Sequence, residues 1–121
     1  YELKYAGANN PLWIIRNGAE EVEEIIATKQ PIGIVDNPQP YQTHQVKLNK
    51  GDSIYIFSDG FSDQFGGPNG KKFKYKEFKN LLVSISKENM EIQNELINNA
   101  YLEWVGDLDQ VDDICVFGVR I

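Results

Sequence analysis

A four-residue apolar run, Ile54-Tyr55-Ile56-Phe57, leads directly into Ser58-Asp59-Gly60. The run has the length of a buried strand, and the glycine leaves the backbone open beside a carboxylate. A strand end of this kind is suited to holding a metal or a phosphate, and a helical segment is expected directly after it. A second carboxylate pair, Asp112-Asp113, stands just before another apolar strand pattern, Ile114 to Ile121. Two acidic strand-edge sites in one small chain point to a shared cation.

At 121 residues the chain is one domain at most, able to bury about two thirds of its unfolded surface. Its net charge of −6 argues against a nucleic-acid binder, which needs a basic face to neutralise phosphates. The same acidity suits a site that expects cations. The single cysteine, Cys115, lies in the last apolar pattern and is expected to be a small buried hydrophobe. One cysteine cannot form an internal disulfide, so a reducing, cytoplasmic location is expected. No apolar run approaches the roughly 20 residues that span a membrane, and no signal peptide is visible. Tyr1 already lies in a strand pattern, so the chain reads as a piece of a longer one.

Strands come first, then helices, then one last strand. Residues 1–6 alternate Tyr, Leu and Tyr against Glu and Lys, a half-buried strand. Gly7 to Pro11 reads as a turn, Leu12 to Ile15 as a strand, and Asn17-Gly18 as its closing turn. Val22 to Thr28 is an ambiguous third strand because of its glutamates. Pro31, Pro38 and Pro40 make residues 29–42 a loop. Gln45 to Leu48 and Ser53 to Ser58 read as strands joined by a turn at Asn49 to Asp52. Tyr75 to Ser86 spaces Phe78, Leu81, Leu82 and Ile85 helically. Asn89 to Val105 places Ile92, Leu96, Ile97, Ala100, Tyr101 and Trp104 on one face, with Gly106 as the stop. The glycine-rich stretch 66–72 lacks the spacing of a phosphate-cradling loop.

The ordered set Y-A-G-A-N-N-P-L-W, K-Q-P-I-G-I, L-N-K-G-D-S-I-Y-I-F-S-D-G-F-S-D-Q and Q-V-D-D-I-C-V-F-G-V-R-I resembles the carboxy-terminal half of a SpoIIE-like protein phosphatase. Each motif is weak alone, but their order and spacing run through nearly the whole chain. The resemblance implies part of a PPM-type α-β-β-α sandwich, an α+β fold of antiparallel sheets with two helices late in the chain. It implies a metal-dependent serine/threonine phosphatase that uses a pair of Mn²⁺ or Mg²⁺ ions, and a phosphorylated regulatory protein in bacteria as substrate. Carried over by position, Asp59 and Asp112 resemble two aspartates that act on one metal of the pair. Gly60, Asp113 and Asn9 resemble site-lining or outer positions. Such ions favour hard oxygen ligands, and a two-metal site activates water for in-line attack at phosphorus. No nucleophilic side chain is then required.

The departures are specific. The family's remaining metal aspartate comes from an amino-terminal half that these residues do not contain. Ala8 stands where a histidine often precedes the Asn-Pro turn, which leaves Asn9 as the candidate for lining the site. The chain is therefore expected to supply ligands for one metal, to lack activity alone, and to self-associate through uncovered edges. Local sequence alone supports Asp59 equally as a helix N-cap; the motif set as a whole favours metal. Asp63 and His44 read as surface positions, Trp13 and Trp104 as core. Lys71, Lys72, Lys74 and Lys76 read as a solvated face that could steer an acidic partner. The alternative function is a non-catalytic regulatory or binding module that keeps the phosphatase shape.

Overall fold

The computed structural model describes all of residues 1–121. Its elements are β1 (Glu2–Tyr5), β2 (Leu12–Ile15), β3 (Glu23–Ile25), β4 (His44–Lys47), β5 (Ser53–Phe57), β6 (Phe65–Gly66), β7 (Lys71–Lys72), α1 (Lys74–Ile85), α2 (Met90–Val105) and β8 (Val116–Arg120). Every ladder is antiparallel. A four-stranded sheet in the order β3-β2-β5-β8 forms the centre, β1 and β4 pair separately, and β6-β7 is a short hairpin.

The alternation of side chains along β2 explains the layering. Trp13 and Ile15 point to one face, where they join Tyr55, Phe57, Phe61, Phe78, Leu82 and Ile85. Leu12 and Ile14 point to the other, where they meet Val46 and Leu48. All four residues of β2 are buried, because helices cover one face of the central sheet and β1-β4 covers the other. Trp13 is the hub of the helix-side core. Its ring lies 4.3 Å from Phe57 and 5.6 Å from Phe78, pairs that each contribute about 0.5–1.5 kcal/mol beyond their burial.

The helices start and stop close to their sequence signals. The Asn89 side chain accepts a hydrogen bond from the Ile92 N–H at 2.9 Å, capping α2. Gly106 ends that helix at φ 53°, the left-handed region that glycine tolerates. The face of α2 is rotated from expectation. Ile92 and Leu96 are exposed and Gln93 is buried, because the Gln93 carbonyl accepts a 2.7 Å hydrogen bond from the Tyr55 hydroxyl and its amide donates to the Glu88 carbonyl. A paired amide can occupy a core position that an unpaired one cannot.

Two further expectations are corrected. No helix follows Gly60; residues 59–63 turn and the chain enters the β6-β7 hairpin. The reversal is forced at Gln64, fully buried, whose amide donates to the carbonyls of Asp109 and Phe65. Cys115 is exposed, not a buried hydrophobe. Along the last strand pattern Ile114 and Val116 pack on the helix-side core, so alternation turns Cys115 and Phe117 to the opposite face. Phe117 pairs with Ile56 in register there, and both are exposed.

Candidate metal centre

The centre is built where the carboxyl end of β5 meets the loop before β8. The Ser58 N–H donates to the Cys115 carbonyl at 2.9 Å. The Ser58 hydroxyl donates to the Asp113 carbonyl at 2.9 Å and accepts from the Cys115 N–H at 3.0 Å. Gly60 then lies flat against the same loop: a Cβ there would come within 2.2 Å of the Asp113 carbonyl oxygen. Only a residue without a side chain allows this approach. Ser58 and Gly60 thus flank Asp59 and hold its backbone against the segment that carries Asp112 and Asp113.

Asp59, Asp112 and Asp113 are all exposed. No helix begins at Asp59, so it caps none, and its carboxylate accepts no hydrogen bond from the chain. Its carbonyl is used instead, by the Asp63 N–H at 2.9 Å and the Ser62 hydroxyl at 3.0 Å. One oxygen of Asp112 accepts from the Asp113 N–H at 2.8 Å. Asp63 pairs with Lys72 at 3.6 Å, in keeping with a surface position. Asn9 is exposed in a left-handed turn, φ 63°. Its neighbours Ala8 and Asn10, rather than Asn9 itself, line an apolar cleft of about 350 Å³ that reaches Ser58 and Cys115. His44 lies half-buried beside the Tyr5 ring, at 6.4 Å.

Tyr75 was not singled out by sequence. Its phenol is pushed up by burial, drawn back by a hydrogen bond with Ser62, and pushed further up by the negative charges of Asp59, Asp63 and Glu24. The ring packs edge-on to Trp13 and Phe57, so the start of α1 forms one wall beside Asp59. No local signal marks this residue, because its placement depends on the hairpin that precedes α1.

The donor chemistry suits a hard divalent cation: exposed carboxylates, those of Asp59 and Asp113 free of any partner in the chain. The set is incomplete by itself, since no group of three or more His, Cys, Asp or Glu side chains is arranged to hold a metal.

Antiparallel sheets packed face to face, with helices over one of them in this chain, match part of the fold of PP2C phosphatase domains. The profile of the family described as Stage II sporulation protein E (SpoIIE) matches residues 1–121, and the chain belongs to that family. Its fold aligns with the SiaA-PP2C domain of Pseudomonas aeruginosa at a TM-score of 0.87 and 30% identity, covering 99% of this chain and 46% of that one. It also aligns with the PP2C phosphatase domain and regulatory fragment of SpoIIE from Bacillus subtilis, at TM-score 0.75 and 23% identity, covering 99% and 34%. A manganese-presoaked structure of the SpoIIE phosphatase domain from Bacillus subtilis aligns at TM-score 0.67 and 23% identity, covering 99% and 50%. The chain spans half or less of the length of these solved structures. No curated protein matches it significantly. No helix is long and apolar enough to cross a membrane.

Proposed function

We propose that residues 1–121 form the carboxy-terminal part of a divalent-cation-dependent protein phosphatase domain that hydrolyses phosphoserine or phosphothreonine on a regulatory partner. The observation that carries this reading is the seating of Gly60 on Asp113, which brings two acidic segments far apart in sequence to one edge. Asp59 and Asp112 would hold one Mn²⁺ or Mg²⁺, with the remaining donors supplied from outside this chain. When bound, such ions polarise a phosphoryl group and activate water.

The chain's own groups have separate duties. Ser58 fixes the spacing of the two acidic segments; its hydroxyl is committed as both donor and acceptor, so it is not a nucleophile. Gly60 permits the close approach. Asp113 contributes its backbone carbonyl to the clamp and its carboxylate to the local negative field.

The exposed apolar strip of Ile56, Phe117 and Cys115 would receive the rest of the same domain, consistent with a chain that spans about half of its structural relatives. Without that cover, the 121-residue chain is expected to self-associate and to lack turnover.

The test is a Mn²⁺-dependent assay on the domain-length protein with a phosphoserine peptide. Asp59→Asn and Asp112→Asn are each expected to lower turnover by at least about 100-fold, the upper range seen even for groups that only support metal ligands. Near-normal turnover in both variants would defeat the metal role. Absence of turnover in the unaltered domain would favour a non-catalytic module instead.

A further inference from the structure

Five of the chain's 12 basic residues fall within nine positions, Lys71, Lys72, Lys74, Lys76 and Lys79. The structure places them on the β6-β7 hairpin and the first turns of α1. We infer that this segment is a docking rim for an acidic stretch of the phosphoprotein substrate. The inference rests on the phosphatase reading for its choice of a phosphoprotein, while the surface itself is argued from geometry and charge.

The hairpin is a fixed platform. Gly66 and Gly67 lie under Trp104, where added Cβ atoms would come within 2.0 Å of its carbonyl oxygen and 2.5 Å of its ring. The Gly67 N–H donates to the Trp104 carbonyl at 2.9 Å, and the Trp104 indole N–H donates to the Gln64 carbonyl at 2.8 Å. At the far end the Phe73 N–H donates to the same Gln64 carbonyl at 3.0 Å. Lys74 follows at φ 74°, a conformation costly for a residue with a side chain. Its N–H is held by the Ser62 carbonyl at 2.7 Å.

The lysines divide into two groups. Lys72 is committed to Asp63 at 3.6 Å and lies 5.8 Å over the Phe65 ring. Lys79 is committed to Glu24 at 3.6 Å and lies 5.2 Å over Trp13. Lys71, Lys74 and Lys76 are exposed and have no carboxylate within ion-pairing distance. Three unneutralised ammonium groups within six positions of one hydrogen-bond-anchored segment stand out in a chain of net charge −6. The rim adjoins the candidate centre through Asp63, whose N–H bonds the Asp59 carbonyl. An acidic peptide seated there gains rate and register from charge complementarity. An anionic bilayer is a poorer fit, because the chain's overall negative charge opposes approach to an extended surface of the same sign.

The experiment measures binding to the full chain by fluorescence anisotropy. The probes are a phosphoserine peptide flanked by Asp and Glu and one flanked by Ser and Gly. The triple variant Lys71→Glu/Lys74→Glu/Lys76→Glu is expected to raise Kd for the acidic peptide about tenfold, the scale of a few exposed charge pairs. It should leave the neutral peptide unchanged and weaken the salt dependence. The corresponding triple Lys→Gln variant, with milder folding demands, is expected to show a smaller loss of the same kind. Lys87→Glu, in the turn just past the end of α1, is expected to change neither peptide. Equal weakening of both peptides, or of neither, overturns the inference. So does charge-dependent binding confined to phosphatidylserine vesicles. Because the readout is binding, discrimination that persists in a domain without turnover sustains this inference while the catalytic reading fails.

Discussion

Gly60 and Asp113 touch backbone to backbone: the Cβ that any other residue would add at position 60 falls 2.2 Å from the Asp113 carbonyl oxygen and 3.0 Å from Ile114. The obstacle is main chain, which cannot swing aside as a flexible side chain can. Gly60→Ala is therefore expected to separate the end of β5 from the Asp112-Asp113 loop. Overpacking of this kind costs about 1–3 kcal/mol, which urea denaturation will read. Isothermal titration with Mn²⁺ should show weaker binding than in the unaltered protein. Unchanged stability and unchanged affinity together would refute the close packing.

Asp52 should make the protein sensitive to acid. Its carboxyl is 2% exposed, and burial alone would push its pKa up. Hydrogen bonds from the Asn49 and Asn17 N–H groups, together with the Arg16 guanidinium, outweigh burial and hold it below the usual carboxylate range. The folded pKa is thus lower than the unfolded value of about 3.9. The stabilisation is complete above that value and is lost as pH falls through the folded pKa below it. Urea midpoints should drop as pH is lowered through about 4. Asp52→Asn should be less stable at neutral pH by about 1–3 kcal/mol and should lose this part of the acid dependence. A variant that retains the full acid dependence would show that other carboxylates carry it.

The Tyr55–Gln93 contact should behave as a latch between sheet and helix. Tyr55→Phe leaves the buried Gln93 carbonyl oxygen without its 2.7 Å donor, at a cost of about 1–3 kcal/mol. Pairing it with Gln93→Leu removes the orphaned acceptor, so the double variant should recover part of the loss. A thermodynamic cycle on the four proteins checks this; strictly additive losses would mean that the two side chains do not depend on each other.

Cys115→Ser should be nearly silent. The side chain is exposed and only its backbone takes part in the clamp with Ser58. Surface changes of this kind stay within about 0.5 kcal/mol. A larger loss would show that the Cys115 side chain itself packs against whatever covers the strip it shares with Ile56 and Phe117, and sedimentation of the same variant would reveal a changed association.

Much of this architecture was legible from short-range pattern. Alternation in residues 1–6, the apolar run ending at Phe57, the helical spacing of Phe78, Leu82 and Ile85 and the Gly106 stop each act within a few residues, and each appears in the structure. What escaped depends on partners distant in the chain. The hairpin after Gly60 is set by Trp104 and Asp109, some 40 residues later in its hydrogen bonds to Gln64. The burial of Gln93 is set by Tyr55. The exposure of Cys115 follows from which face of the central sheet lacks cover, and no window of sequence states that. Asp59 and Asp112 were legible as candidates from their strand-edge setting and the ordered motifs. The Ser58 clamp that holds their segments together was not, because a serine at a strand end has many ordinary uses.

That clamp separates two free-energy costs that a looser arrangement would combine. Bringing acidic segments together means ordering backbone and accepting repulsion between like charges. Here the three hydrogen bonds between Ser58 and the Asp113–Cys115 stretch meet that cost when the chain folds. On the proposed reading, a cation would find the two acidic segments already held together, and its binding free energy would not be spent on gathering them.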